Sequence, residues 1–437
     1  MKENRIDVIT MGCSKNLVDS ERLMRRLEAK GYTLHHNSHD VKGPLVVVNT
    51  CGFIADAKQE SIDMILTLAD AKTEGRIEKL VVMGCLSERH GKELRPEIPE
   101  VDAWYGKFDW DRMVDDLPVL KPDYKVPKIY ERDLTTPPYT TFMKISEGCD
   151  RMCAYCAIPL ITGRHRSRPM EEILSETKEL VGKGVKEFNV IAQDLSAYGK
   201  DFSGKLLLPE LVERMSDIKG VEWIRLHYGY PTDFPWDITK VMRERENVCS
   251  YFDIALQHIS DKVLSNMRRN IDGKHTYELI DRLREEVPDI KLRTTLMTGF
   301  PGEGEKEFEE LIDFMQRVKF DRLGAFAYCE EDDTWAARHL NDEIPEEVKQ
   351  QRLEHIMTLQ KEISEELNHK MIGERVKVLI EETDESEIIG RTQWDSPEVD
   401  PVIILKPNEK TSIVKPGDFV TAKVTGAESF DLFGEIE

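Results

Sequence analysis

The chain of 437 residues has no apolar run of about 18 residues, no internal repeat and no low-complexity tract. These absences argue against a helix that crosses a membrane, against a repeat protein and against a disordered chain. Basic residues are also in the minority, because 61 Lys and Arg stand against 83 Asp and Glu and leave a net charge of -22. That charge repels phosphate backbones, so we expect no stable binding of tRNA.

A secretory signal peptide is missing from the first residues, where charged side chains come before any apolar run. We therefore expect the chain to work in the cytoplasm, a reducing compartment. There its eight cysteines should be thiols rather than disulfides. Free thiols in this number favour metal binding or catalysis over a disulfide scaffold.

Three of these cysteines form a C-x3-C-x2-C run, namely Cys149, Cys153 and Cys156. Three thiolates so close together predict one soft-metal site with a vacant position, since an iron-sulfur cubane or a tetrahedral zinc takes four ligands. A structural zinc knuckle is the alternative. Such knuckles usually bring a second C-x2-C pair or a nearby His, and the first His after the run is His165.

Three further cysteines occupy equivalent places in the first part of the chain, at Cys13, Cys51 and Cys85. Each ends a β-branched apolar run, and helical patterns separate the runs, which predicts buried parallel strands. Because the carboxyl ends of parallel strands share one edge of a sheet, we expect the three thiols to converge there. The alternative is that they are ordinary buried cysteines. Cys249 and Cys329 are not part of a comparable group of cysteines and are predicted to be structural.

The six-cysteine pattern, with the segments MGCSKNLVDSE (11–21) and VNTCGFI (48–54), resembles the methylthiotransferase family of radical S-adenosylmethionine enzymes. Within that family it is most similar to the branch that modifies an aspartate of ribosomal protein S-twelve. The resemblance implies two 4Fe-4S clusters, one for each cysteine triad, and S-adenosylmethionine bound at the Cys149 triad. A radical made there would take hydrogen from the aspartate β-carbon, and a methylthio group built at the auxiliary cluster on the Cys13 triad would be transferred to that carbon.

Strand and helix patterns predict an α/β protein with three units. The first unit is a doubly wound parallel sheet. The second is an incomplete (β/α)6 barrel with the Cys149 run at its carboxyl-end face, and the third is a small antiparallel β-barrel resembling the TRAM domain. The predicted ranges are 1–122 for the sheet, 123–140 for a Pro-rich linker, 141–368 for the barrel and 371–437 for the last unit. Asp19 is predicted to cap the first long helix, and Gly31 to close it.

Segments at the predicted strand ends of the barrel match the positions of the family's cofactor pocket. The candidate cofactor-binding residues are Tyr155, Gln193, Arg225, Gly299 and Gly302. The glycines would let the backbone approach the adenosyl group, and Arg225 would pair with a carboxylate. An ordinary turn and a structural ion pair are the alternatives. The basic segment 163–168 would bind an anion, or its side chains would simply be solvated. No catalytic residue beyond the cluster ligands is predicted.

Charge also separates the candidate partners. From residue 371 to the C terminus, 15 acidic residues stand against 7 basic ones, the opposite of what an RNA-binding barrel needs. We therefore expect a basic ribosomal protein or the small ribosomal subunit as substrate. A tRNA adenosine methylthiotransferase and a non-catalytic iron-sulfur carrier are the two rival hypotheses. The sequence identifies neither a sulfur donor nor an electron donor.

Overall fold

The computed structural model describes residues 4–38, 41–384, 386–407 and 414–437. None of the helices in these ranges is both long enough and apolar enough to cross a membrane. Two parallel sheets, one closed barrel and one small two-stranded sheet make up the architecture of the described residues. The two parallel sheets and the closed barrel follow one another along the chain, and their contacts place the two cysteine triads opposite each other.

The N-terminal sheet is parallel, with the strand order β2-β1-β3-β4-β5. Alternate residues of its strands pack against helices on opposite faces, so that Val48 belongs to one core and Val47 to the other. This confirms the predicted doubly wound sheet. Its elements are β1 (Arg5–Thr10), α1 (Ser14–Lys30), β2 (Thr33–His36), β3 (Leu45–Thr50), α2 (Ala55–Thr73), β4 (Lys79–Gly84), α3 (Cys85–Glu97), β5 (Ala103–Trp104) and α4 (Trp110–Asp115).

The first helix begins earlier than predicted. Cys13, not Asp19, is its N-cap residue, and Asp19 lies inside the helix, where its carboxylate pairs with Lys107 and Lys144. The prediction failed because these lysines are far away in sequence and take the carboxylate that a cap would have used. Gly31 closes the helix as expected: it has φ 109°, and its N–H donates to the Glu28 carbonyl.

The middle of the chain is an open sheet of six parallel strands in the order β13-β12-β11-β10-β9-β6, which confirms the predicted incomplete barrel. The first strand starts at Thr140, one residue before the predicted boundary. Its elements are β6 (Thr140–Lys144), β7 (Ser146–Glu147), α5 (Ile158–Thr162), β8 (Arg166–Ser167), α6 (Met170–Gly182), β9 (Glu187–Ile191), α7 (Lys200–Ser203), α8 (Leu208–Ser216), β10 (Trp223–Gly229), α9 (Asp237–Glu244), β11 (Val248–Gln257), α10 (Asp261–Asn266), α11 (Gly273–Glu286), β12 (Lys291–Thr298), α12 (Glu305–Val318), β13 (Arg322–Ala327), α13 (Trp335–His339) and α14 (Glu346–His369).

The C-terminal strands form a closed barrel in the order β14-β15-β16-β18-β17. Four of the five pairings are antiparallel, as predicted, and the β16–β18 pairing is parallel. A ring of five strands cannot alternate direction at every step, so one parallel pair is unavoidable. The strands are β14 (Arg375–Thr383), β15 (Ile388–Thr392), β16 (Ile403–Lys406), β17 (Phe419–Ala427) and β18 (Leu432–Ile436).

The predicted linker, at 123–140, is packed against both neighbouring units. Arg132 in this segment is 1% exposed. Its guanidinium lies 2.5 Å from Glu21 of α1 and 2.7 Å from Glu176 of α6, and it donates to the Phe142 carbonyl at 2.7 Å. A buried charge needs this degree of compensation. Arg132 therefore ties the N-terminal sheet to the open barrel.

The closed barrel sits against the amino ends of the open-barrel strands. Glu187, the first residue of β9, lies 3.0 Å from Arg225 of β10 and 2.7 Å from Arg391 of the closed barrel. All three side chains are at most 1% exposed. Arg322 and Asp395 form a second ion pair across the same joint at 2.6 Å. The end of the open barrel opposite the cysteine loop is thus covered by ion pairs.

Replacing Glu187 with Gln should destabilise the fold by about 3–5 kcal/mol, because two buried guanidinium groups lose their counter-charge. Burial opposes ionisation of Glu187, but Arg391 and Arg225 outweigh it and hold the pKa of this carboxyl well below its ordinary value. Its contribution is therefore present above the unfolded pKa of about 4.3 and is lost as the pH falls further. Urea denaturation midpoints at neutral and acidic pH measure both effects.

Glu222→Gln is the matched control, since Glu222 bridges the same two units by an ion pair with Lys377 at 3.3 Å whose side chains are 47% and 45% exposed. That exposed pair should contribute little. Equal midpoints for the two variants would contradict the importance assigned to Glu187.

Candidate functional site

The C-x3-C-x2-C loop lies at the carboxyl end of β6. Gly148 has φ +80°, and a Cβ added there would overlap the Arg164 carbonyl, so only glycine fits this crossing. Cys149 N–H donates to the Gly163 carbonyl at 3.2 Å, and Ala154 N–H donates to the Met267 carbonyl at 2.9 Å. The loop is therefore held at both ends, with its three thiols facing the barrel mouth.

The surroundings of these thiols act on their ionisation in two opposite ways. Burial raises the pKa of Cys149 to about 12 and raises that of Cys156 further. Metal binding must therefore displace protons from the thiols. Cys153 Sγ lies 3.5 Å from the Arg269 guanidinium and 3.7 Å from the Tyr230 hydroxyl. A fixed positive charge next to a thiolate stabilises the charged form that ligates iron.

Polar atoms without partners lie beside the loop. Gln193, after β9, donates to Glu147 through Nε2, while its Oε1 is buried without a hydrogen-bond partner in the described part of the protein. Asp194 accepts from Arg151 Nε at 2.6 Å through Oδ2, and its Oδ1 is likewise unsatisfied. Ser146 Oγ is also buried without a hydrogen-bond partner in the described part of the protein. Buried polar atoms are normally paired, so these three fit a bound ligand with amino and carboxylate groups.

Arg225 does not reach this mouth. Its guanidinium is used by Glu187 and by the backbone carbonyls of Thr392 and Gln393, at the opposite end of the barrel. The expectation that Arg225 binds a cofactor carboxylate is wrong. Arg225 instead forms the alternative, a structural ion pair, with Glu187. The residue lies on the expected strand, but its side chain points to the closed barrel, which the strand pattern alone does not reveal.

The two candidate glycines and Tyr155 contact protein groups. A Cβ on Gly299 would overlap the Lys349 side chain, and one on Gly302 would overlap the Asn266 amide. The Tyr155 ring packs edge-on against Phe300 with centroids 6.1 Å apart, and its hydroxyl accepts from Arg269 at 3.3 Å. Each therefore has a packing role, and contact with the adenosyl group stays a prediction.

One lesser expectation needs correction. Cys249 is buried, as expected of a structural cysteine, but Cys329 is exposed just beyond β13.

Among the described residues, the basic segment 163–168 contains both paired and unpaired arginines. Arg168 pairs with the buried Glu176 at 2.6 Å, and the exposed Arg164 pairs with Asp150 at 2.6 Å. Arg166 lies over the Phe108 ring. Binding of an anion by this segment stays a prediction.

The second triad follows three neighbouring strands, with Cys13 after β1, Cys51 after β3 and Cys85 after β4. The chain passes from one side of the sheet to the other between β1 and β3, the position at which such folds bind ligands. A glycine stands next to each cysteine, at Gly12, Gly52 and Gly84.

These glycines allow the three loops to approach one another. A Cβ on Gly12 would stand 2.7 Å from Cys51 Cβ, and a Cβ on Gly52 would stand 2.7 Å from the Cys85 backbone. Burial raises the pKa of Cys51 and raises that of Cys85 to about 12. In the ranges that the structure covers, no three His, Cys, Asp or Glu side chains are grouped so that they could hold a metal ion. A four-iron cluster binds each thiolate at a different iron, so its ligands can stand further apart than those of one zinc.

A cluster of four charges joins the two triads; we call it the inter-triad network. Lys107 Nζ lies 3.0 Å from Asp19 and 3.9 Å from Glu147, and Lys144 pairs with both carboxylates. None of the four side chains is more than 14% exposed. Glu147 stands two residues before Cys149.

The network also reaches the second triad. Asn16 Oδ1 lies 3.4 Å from Lys107 Nζ and 3.5 Å from Cys85 Sγ. Burial opposes the charge of Lys107, but Asp19 and Glu147 outweigh it and raise the pKa of the ammonium well above its ordinary value. Lys107 is therefore charged at every physiological pH. Sequence reasoning missed the network, because its members come from three separate segments.

Family models match three parts of the chain. Residues 5–106 match the uncharacterised protein family UPF0004, residues 143–315 the radical SAM superfamily and residues 372–436 the TRAM domain. Among solved structures, the radical S-adenosylmethionine methyltransferase TsrM from Kitasatospora setae, with tryptophan and a SAM analogue bound, has a TM-score of 0.55. It is 14% identical, with 74% of this chain and 73% of that chain covered, so this likeness concerns the fold. Fold and cysteine loop together define a radical SAM transferase.

Full-length relatives identify the family within this class. The chain is 57% identical over 436 residues to the ribosomal protein uS12 methylthiotransferase RimO of Phocaeicola vulgatus, with 100% of each chain covered. It is 55% identical over the same length to the protein of that name from Parabacteroides distasonis, and 46% identical over 435 residues to that of Cytophaga hutchinsonii. The chain belongs to the ribosomal protein uS12 methylthiotransferase family.

If each triad holds a four-iron cubane, anaerobic reconstitution should give about eight irons per chain, and Cys85→Ser should lower this to about four. The purified protein should be brown and should lose its colour in air, because a cluster with an open iron is exposed to oxidants. Iron analysis and visible absorption measure these outcomes. Cys329→Ser removes an exposed thiol outside both triads and should keep about eight irons. A colourless protein with two bound zincs would contradict the assignment.

Proposed function

We propose that this chain is an enzyme that transfers a methylthio group to ribosomal protein uS12, at the β-carbon of an aspartate. The observation that carries the proposal is the inter-triad network. This network lies between two cysteine triads, each at the carboxyl edge of a parallel sheet, and contacts the second triad through Asn16 and Cys85. Hydrogen abstraction at one centre and transfer of a ready-made methylthio group from the other require two reactive centres that face one substrate carbon. The names of the full-length relatives support the substrate.

The cofactors are S-adenosylmethionine and two 4Fe-4S clusters. Cys149, Cys153 and Cys156 would hold the cluster that binds S-adenosylmethionine, and Cys13, Cys51 and Cys85 would hold the auxiliary cluster. When bound, these groups supply the electron that cleaves the sulfonium and the sulfur that is transferred. The cofactors would supply the bond cleavage and the sulfur, and the chain would bind and orient the reactants.

The roles of individual side chains follow from their positions. The unsatisfied Gln193 Oε1 and Asp194 Oδ1 would accept hydrogen bonds from the methionine amino group of S-adenosylmethionine. Arg269, held by Tyr155 and by the Ala255 carbonyl, would offset negative charge at Cys153. The inter-triad network fixes the separation of the two centres and keeps water out of the space beside them.

The acidic surface supports a basic protein as partner, either uS12 itself or uS12 within the small subunit. Opposite charges on exposed surfaces steer association and are screened by salt. An adenosine in tRNA would have to approach against the net charge of -22, which disfavours the tRNA hypothesis. We also propose a reducing cytoplasm as the compartment, because six thiols must stay reduced to bind iron.

The two triads should be separable in function. Cys153→Ala should abolish formation of 5′-deoxyadenosine from S-adenosylmethionine, because this triad binds the cofactor. Cys85→Ala should halve the iron and stop methylthiolation, yet leave dithionite-driven cleavage measurable. Chromatographic assay of 5′-deoxyadenosine under anaerobic conditions gives the comparison. Equal loss of cleavage in both folded variants would contradict the division of labour, and absence of cleavage by the wild-type protein would favour the carrier hypothesis.

The substrate is tested by mass spectrometry of small-subunit proteins from a deletion strain and its parent. We expect uS12 of the parent to be heavier by one methylthio group in place of one hydrogen, and the difference to vanish on deletion. Complementation with the Cys85→Ala variant should leave uS12 unmodified. Methylthiolated adenosine in tRNA that depends on this gene would overturn the substrate assignment.

A further inference from the structure

One cation at the barrel mouth makes no ion pair within 4.0 Å in the part of the protein that the structure describes. Lys15, in the first turn of α1 and two residues after Cys13, places its ammonium 3.5 Å from the centre of the Tyr228 ring. Lys15 makes no ion pair within 4.0 Å and no hydrogen bond to any described residue. An ammonium over an aromatic face is attracted to it, but the ring does not neutralise the charge.

The tyrosine below it is held in an unusual conformation. Tyr228 has φ +64° near the carboxyl end of β10, a region that non-glycine residues enter at a cost of about 1–3 kcal/mol. Its N–H donates to Asp253 at 3.3 Å, and its carbonyl accepts from Leu195 N–H at 3.1 Å. The ring is 39% exposed at the mouth. Backbone strain of this kind is often found at functional sites.

Other cations near the two triads are already engaged. Arg151 pairs with Asp194, Lys107 and Lys144 pair within the inter-triad network, and Arg269 bonds Cys153, Tyr155 and a carbonyl. Asp253, the carboxyl nearest to Tyr228, is buried behind the tyrosine, and burial raises its pKa to about 6. The charge of Lys15 opposes this rise, but Lys15 makes no ion pair with Asp253 in the described part of the protein, so its ammonium can still take a new partner.

Lys15 and Tyr228 come from two different units of the protein. Lys15 comes from the N-terminal sheet, at the end that carries Cys13, and Tyr228 comes from the open barrel, on the face that carries the Cys149 loop. A substrate carbon that reacts at both centres must pass between these two edges. If the proposed function holds, the side chain that carries this carbon ends in a carboxylate, one bond beyond the reacting carbon.

We propose that Lys15 is the specificity residue that binds the carboxylate of the substrate aspartate, with Tyr228 as the platform that holds the ammonium in place. The carboxylate replaces the ring as the partner of the ammonium and fixes the neighbouring β-carbon between the two triads. The same ammonium disfavours a neutral amide in that position. This inference rests on the proposed function and adds the residue that reads the charge of the target side chain.

The test compares two forms of uS12, one with the target aspartate and one with asparagine in its place, against reconstituted holoenzyme. Wild-type enzyme should modify the aspartate form with kcat/KM about tenfold or more above the asparagine form, the size expected for a hydrogen bond between charged groups. Lys15→Gln should lose this preference through a raised KM for the aspartate form, and Lys15→Arg should keep most of it. Equilibrium binding of both forms gives a second readout.

The controls separate this role from a structural one. Lys15→Gln should retain about eight irons, since Lys15 is not a ligand. Lys219→Gln removes an exposed lysine just before β10, at the opposite end of the barrel, and should behave as wild type. A Lys15→Gln enzyme that keeps the tenfold preference would overturn the role of Lys15 alone. A wild-type enzyme that modifies neither form would overturn the proposed function, and this inference with it.

Discussion

The inter-triad network is the interaction on which the rest of the site depends. Burying two lysines and two carboxylates costs several kcal/mol for each ion unless all of them are paired. Asp19 and Glu147 each meet both Lys107 and Lys144, so no member can move without leaving another unpaired. Because Asn16 extends the network to Cys85, and Glu147 stands beside Cys149, the separation of the two triads is set by charge pairing.

Two parallel sheets explain why the triads can face each other at all. Parallel strands gather their carboxyl ends at one edge, and each sheet carries its cysteines in the loops that leave this edge. Glycines at Gly12, Gly52, Gly84 and Gly148 remove the Cβ atoms that would keep these loops apart. Ion pairs around Glu187 cover the other end of the open barrel.

Local signals in the sequence were enough for the three units, the six strands of the open barrel and the placement of each triad at a strand end. They failed where the partner is distant in sequence. Asp19 looked like a helix cap because its lysines are 88 and 125 residues away. Arg225 lies on the expected strand, but the direction of its side chain depends on Glu187 and on a unit that begins about 150 residues later. The parallel β16–β18 pair, in contrast, follows from strand parity once five strands are counted.

The distribution of charge within the protein is as informative as its total. The net charge of -22 belongs to a surface suited to a basic partner, while Lys15, Lys107, Lys144, Arg151 and Arg269 collect around the two triads. Thiolates and cluster sulfides are negative, and a mouth lined by cations lowers the cost of concentrating them in a poorly solvated interior. Lys107, Lys144 and Arg151 are paired with carboxylates, whereas Lys15 makes no ion pair with any described residue. An acidic side chain is therefore the part of a basic protein that this mouth admits most readily. Surface and mouth thus select for different features of one molecule, a basic protein that presents a carboxylate.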